Sequence, residues 1–247
     1  MSDFPPGSMP PPPVPPPEPS GPRPSVGVAI SWAFDRFKAN AAAFVGLAAV
    51  VTVIQFVQQI GAQPLENILT DCTNPQSPGQ LNACTAAVGV SAIVAIVISL
   101  VFGLLAFIAQ IGVQRAAIRS SLGVAPTFSD MFTTQYLGRY QLFTLCYAVL
   151  AFLGLILCIV PGFAVLFLFQ LGPYYILDKG YGVREAMRAS FNAVTKNFGP
   201  AILMTMFTFL VLLLGGVFFG ILTLVTLPFA CLFTAHMYRQ FNREPVH

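Results

Sequence analysis

The sequence predicts an all-α polytopic membrane bundle of six spans, organised as three repeats of an amphipathic interfacial helix followed by a transmembrane hairpin. Three observations lead there: apolar runs long enough to cross a bilayer, Lys and Arg confined to alternate connections, and an amphipathic stripe that recurs ahead of each hairpin. Composition agrees. Of 247 residues, 56% are hydrophobic and 9% charged, whereas soluble domains carry about 25% charged residues.

Residues 1–24 are dominated by proline, with runs at Pro10 to Pro13 and Pro15 to Pro17. Such a segment has little to pack and is expected to be a disordered or polyproline II tail. A cleaved secretory signal needs an apolar core of roughly 7–15 residues, and none precedes Asn40. The first membrane helix is therefore expected to stay. The tail can dock a protein partner or act as a solvated tether.

A helix needs about 20 residues to cross about 30 Å of hydrocarbon. The apolar runs place spans at 41–60, 86–113, 141–159, 162–177, 200–216 and 218–237. The last two form one unbroken run, and Gly215-Gly216 is the expected turn within it, as Pro161-Gly162 is between the third and fourth. A five-span reading with one long final helix competes, and charge decides between them. Lys and Arg cluster at Arg23, Arg36 and Lys38; Arg115 and Arg119; Arg139; Lys179, Arg184, Arg188 and Lys196; Arg239 and Arg243. With six spans all of these fall on one side, and the 62–85 loop carries only Glu66 and Asp71. Because basic loop residues are retained in the cytoplasm, both termini are expected inside a cell (inner) membrane and the 62–85 loop outside.

Cys72 and Cys84 flank a Pro, Gly and Asn-rich stretch in that outer loop. They face a compartment in which disulfides persist, and a disulfide is expected, contributing about 3 kcal/mol on loop-entropy grounds. A zinc site would need further His or Cys nearby. Cys146, Cys158 and Cys231 lie in apolar runs, where a thiol behaves as a small hydrophobe.

The repeat emerges from two stripes. Val26, Ala29, Ile30, Ala33, Phe34 and Phe37 share one helical face, and Val183, Ala186, Met187, Ser190, Phe191 and Val194 share another. In one register Ala29 meets Ala186, Phe34 meets Phe191 and Asn40 meets Asn197. A weaker third copy, Phe128, Met131, Phe132, Gln135 and Tyr136, opens at Thr127 with Asp130 three residues on, like a capping box. Helices of this kind lie at the headgroups, where anionic lipids attract their basic face. They serve either as a lipid-sensing surface or as a collar that packs the bundle.

The triplicated unit, the turn Ile159-Val160-Pro161-Gly162, Asp178-Lys179-Gly180, and Glu185-Ala186-Met187-Arg188-Ala189-Ser190 resemble a family of bacterial six-helix membrane proteins of unknown function. Actinobacterial members of it often carry proline-rich tails. The family is similar to the membrane domain fused to some glycerophosphodiester phosphodiesterases. The resemblance covers residues 25 to 240 and implies architecture and no reaction, since this sequence shows no soluble phosphodiesterase domain.

The expected spans contain no Asp, Glu, Lys or Arg, unlike proton- and ion-coupled carriers. The candidates for a shared polar cavity are Gln55, Gln58, Gln110, Gln170 and His236, with Gln59 beside them; the alternative is that each makes an interhelical hydrogen bond. Ala87, Ser91, Ala95, Ser99 and Gly103 recur every four residues as a small-residue ladder for close packing, either within the bundle or at a dimer face. No carboxylate pair, Ser-His-Asp set or phosphate loop is present, and His236 and His247 cannot build a metal site alone. No catalytic residue, metal, cofactor or nucleic-acid partner is expected. The expected function is a non-catalytic scaffold or accessory subunit engaging membrane lipids, and a protein partner through its tail. The alternative is a passive channel or lipid or small-solute permease.

Overall fold

The computed structural model describes residues 24–72, 78–131, 133–217 and 221–246. The proline tail lies outside the described residues. Helices α1 (Val26–Ala39), α2 (Ala41–Asp71), α3 (Pro78–Ser121), α4 (Leu137–Leu157), α5 (Ile159–Leu168), α6 (Gly172–Lys179), α7 (Val183–Lys196), α8 (Phe198–Val217) and α9 (Thr223–Phe241) follow in order, and no strand occurs among the described residues. Five stretches are long and apolar enough to cross a membrane: Ala41–Thr70, Gly79–Ser121, Leu137–Leu157, Ile159–Lys179 and Phe198–Gly216. The chain is a multi-pass helical membrane protein, the architecture in which every backbone polar group is satisfied within its own segment.

α9 is of a different kind. It runs back along α8, with Phe207 4.7 Å from Phe233 and 6.3 Å from Phe229 between ring centres, and it packs against α1, α2, α3 and α8. From Leu227 to Phe241 every residue except Phe229 and Gln240 is buried. A helix enclosed by protein need not be apolar all round, which explains how α9 carries Thr234, His236, Tyr238 and Arg239 at the centre of the bundle. Its end meets the start of α1, where the Ser25 N–H donates to Gln240 Oε1 at 2.8 Å. Both ends of the described chain therefore lie at one end of the bundle.

Several expected boundaries move. The 62–85 segment, read as a loop, is helical over 62–71 and again from 78. Loss of hydropathy marks where a helix leaves lipid, and residues such as Glu66, Leu69, Gln80 and Leu81 still favour helix. Pro64 lies inside α2 without ending it. Cys72 caps α2 and forms the expected disulfide with Cys84 of α3, with Cα atoms 5.7 Å apart. The turn read at Pro161-Gly162 falls instead at Cys158, whose backbone is extended. Pro161 sits in the first turn of α5, where its missing N–H costs no helical bond. Gly162 serves close packing: a Cβ on Gly154 of α4 would stand 2.8 Å from the Gly162 Cα. Gly215 and Gly216 stay helical within α8, and a Cβ on Gly215 would collide with Thr226 of α9. Residues 218–220, read as the start of the sixth span, lie outside the described residues.

The fourth apolar run, read as continuous over 162–177, breaks between Leu168 and Gly172. The backbone groups freed there are met by α7. Ser190 Oγ donates to the Leu168 carbonyl at 2.8 Å and accepts from the Leu171 N–H at 3.2 Å. Gly172 admits the ring of Phe143, which any side chain there would overlap.

α1 and α7 form as expected but bury a narrower stripe. Ala29 and Ala33 of α1, and Ala186, Ser190, Ala193 and Val194 of α7, face the bundle. The matched Phe34 and Phe191 are 49% and 43% exposed. Small residues let these helices lie close to their neighbours, and that leaves no depth for the phenylalanine rings. The third amphipathic helix does not form. Its place is taken by a single 3₁₀ turn, Phe128–Met131, followed by backbone gripped by Arg115, whose guanidinium donates to the carbonyls of Thr133 and Gln135. Phe128 lies over Gly46 of α2.

Candidate functional site

The five residues expected to share a polar cavity have separate surroundings. Gln170 pairs with Thr205 of α8, its Nε2 donating at 2.8 Å and its Oε1 accepting at 3.1 Å. His236 is buried, with its ring 4.9 Å from Trp32 and its Nδ1 without a partner among the described residues. Gln58 of α2 is half-buried and approaches Gly103 of α3, while Gln55 and Gln110 are exposed on the sides of α2 and α3. Gln170 thus makes an interhelical bond, which supplies the stabilisation expected of a polar pair in lipid.

The small-residue ladder on α3 is turned partly toward α2. Ala95 is buried, Ala87, Ser91 and Gly103 are half-buried and Ser99 is exposed. Among the described residues, α2 and α3 form the most extensive helix pair of the fold.

Polar chemistry is concentrated at the end of the bundle that holds both chain ends. Arg239 of α9 is 6% exposed. It pairs with Asp178 of α6 at 2.6 Å and with Glu244 beyond α9, and its Nε donates to Ser121 Oγ at the end of α3 at 3.3 Å. The Tyr238 hydroxyl donates to the second oxygen of Asp178 at 2.9 Å, and the Tyr175 hydroxyl donates to Asn242 Oδ1 at 2.8 Å. Lys179 pairs with Glu244 at 2.6 Å. Burial alone would raise the Glu244 carboxyl, but hydrogen bonds from Lys179 and Arg239, and their charges, hold it below the ordinary glutamate range. A buried arginine with two carboxylates and further donors and acceptors around it meets the condition under which a desolvated charge is tolerated.

Beside this network lies a cavity of about 460 Å³ between α6, α7 and the end of α9. Its walls include Lys179, Lys196, Arg243, Asn192, Asn197 and Asn242. Among the described residues no carboxylate lines it. It is therefore an electropositive hollow with amide donors, at the level of the amphipathic α7. Sequence reading placed Lys179, Lys196 and Arg243 on one side of a membrane but did not bring them together. The available signal was polar clustering just past the ends of apolar runs, at Asp178-Lys179, Lys196-Asn197 and Asn242-Arg243-Glu244.

No group of His, Cys, Asp and Glu able to hold a metal ion occurs among the described residues. No protein-family model matches the chain, and no solved structure matches it. It is similar to uncharacterized proteins of Mycobacterium bovis and Mycobacterium tuberculosis, at 27% identity over 224 residues, covering 88% of this chain and 69% of each relative.

Proposed function

We propose that this chain is a non-catalytic scaffold or accessory subunit of the cell membrane, with both termini in the cytoplasm and α9 as its sixth crossing. The observation that carries the reading is the matched pair Phe34 and Phe191, the exposed aromatic rings of amphipathic helices whose small residues, with Trp32 and Phe37, pack on the bundle. Exposed rings beside Arg36, Lys38, Arg184 and Arg188 suit the headgroup level, where aromatic bodies sit among acyl chains and cations meet anionic lipid. The helices are also fixed to the bundle through Ala29, Ala33, Ala186 and Ala193, so the collar and lipid-facing roles coexist. The tail is the arm for a protein partner. A passive channel would need Gln55, Gln58, Gln110, Gln170 and His236 along one path, and their separate surroundings weigh against that alternative.

The test is genetic complementation with parallel affinity purification in mild detergent. Deleting residues 1 to 24 is expected to reduce partner capture while insertion is unchanged, because a proline tail contributes no core packing. Gln110→Leu with Gln170→Leu is expected to complement fully, with a modest loss of stability. Rescue by the tailless chain and failure of the double leucine variant, at equal membrane levels, would replace the scaffold with the permease.

A further inference from the structure

The electropositive cavity has an apolar neighbour. A groove of about 450 Å³ is walled by Val26 of α1 and by Leu203, Met206, Phe207, Phe209 and Leu210 of α8. The chain links the two hollows at two points. Val26 follows Ser25, whose N–H is bonded to Gln240, and Gln240 precedes Phe241 and Asn242 of the cavity wall. On the other side, Lys196 and Asn197 of the cavity run directly into α8, whose exposed face, with Leu203, Met206, Phe209 and Leu210, walls the groove.

Depth matches a lipid. α8 begins at Phe198, and Leu203 and Leu210 lie about 8 and 18 Å further along its axis at 1.5 Å per residue. One leaflet of hydrocarbon is about 15 Å deep. The groove therefore lies where an acyl chain would lie if its headgroup were level with Lys196. We propose that cavity and groove together form one site for an anionic phospholipid, its phosphate on Lys196 and Arg243 and one acyl chain along Leu203 to Leu210. Lys179 is neutralised by Glu244 and belongs to the neighbouring network, and Asn192, Asn197 and Asn242 supply neutral hydrogen bonds to glycerol or phosphate oxygens. Charge selects the headgroup: Lys196 and Arg243, with no carboxylate in the wall, favour net-negative lipid over zwitterionic lipid.

The proposal rests on the reading of this end of the bundle as headgroup level. Its test uses the full chain purified in detergent and titrated with dioleoyl phosphatidylglycerol, dioleoyl phosphatidylcholine and inorganic phosphate, with bound molecules counted by native mass spectrometry. One phosphatidylglycerol is expected to be retained in preference to phosphatidylcholine. Lys196→Gln with Arg243→Gln, both exposed positions, should weaken it by about thirtyfold, the loss of two cations facing one anionic group. Met206→Trp, which fills the groove, should weaken dioleoyl phosphatidylglycerol and leave the dihexanoyl lipid unchanged. Equal retention of phosphatidylcholine, or indifference to the double glutamine variant at unchanged melting temperature, overturns the site. Displacement of the lipid by inorganic phosphate together with indifference to Met206→Trp assigns the cavity to free phosphate and overturns the lipid assignment. Partner capture by the tail does not involve these residues. Lost capture with intact lipid binding counts against the scaffold alone, and the reverse pattern counts against the lipid site alone.

Discussion

Ser190 of α7 donates its hydroxyl proton to the carbonyl of Leu168, 2.8 Å away, inside a break in the fourth apolar run. The same oxygen accepts from Leu171, so one side chain meets two backbone groups that the gap between α5 and α6 would otherwise leave unpaired. An amphipathic helix is in this way a structural part of a long apolar segment.

Ser190→Ala is therefore expected to cost about 1–3 kcal/mol, the penalty for buried backbone groups left unsatisfied. Thermal unfolding in detergent reads it directly. Thr195→Ala is the control, since Thr195 bonds back only to the carbonyls of Phe191 and Asn192 within its own helix, and it should shift the midpoint little. Equal behaviour of the two variants would remove Ser190 from this role.

Acid should loosen the segment after α9. The Glu244 carboxylate is held below the ordinary glutamate range by Lys179 and Arg239, against the opposing effect of burial. A depressed carboxylate contributes stability that is complete above its unfolded value, about 4.3, and lost as pH falls through the folded value. Wild type should lose unfolding free energy between about pH 5 and 3 more steeply than Glu244→Gln, whose side chain does not titrate. Parallel curves for the two would show that the pair contributes nothing to folding.

The direction of the chain through the membrane is open to reporter fusions. An insertion after Gln76 is expected to read as external, and fusions after Ser121, Gly180 and Asn242 as cytoplasmic, following the one-sided Lys and Arg. An external reading at Asn242 alone would reduce the crossings to five.

How far the sequence reading reached depended on what each residue's surroundings are made of. The apolar runs, the Cys72–Cys84 bridge and both long amphipathic helices follow from local pattern, because lipid is a uniform solvent and hydropathy measures transfer into it. Arg239 is legible in the sequence only as one of the basic residues on one side of the membrane, because a sequence shows the charge but not Asp178, 61 residues away. The glutamines are legible only in part for a related reason: interior polar residues cannot be told from exposed ones until helix faces are fixed, and Gln110 faces outward while Gln170 has Thr205. The outer loop was misjudged because polarity was taken to end a helix, whereas in 62–71 it ends only the apolar segment. The third interfacial helix was over-read from a short stripe that Arg115 holds as irregular backbone.

α3 imposes a fixed length on its surroundings. At 1.5 Å per residue its 44 residues extend about 66 Å, roughly twice the hydrocarbon thickness. A continuous helix cannot shorten, so in a bilayer a change of thickness is met by tilt, by a kink or by the lipid itself. Its far tip is tied to α2 through Cys84, and its near end meets Arg239 through Ser121, so α2 leans with it and the lean is delivered to the buried arginine. A tilt of α3 would therefore carry the Ser121 to Arg239 contact with it, in the polar network beside the cationic hollow.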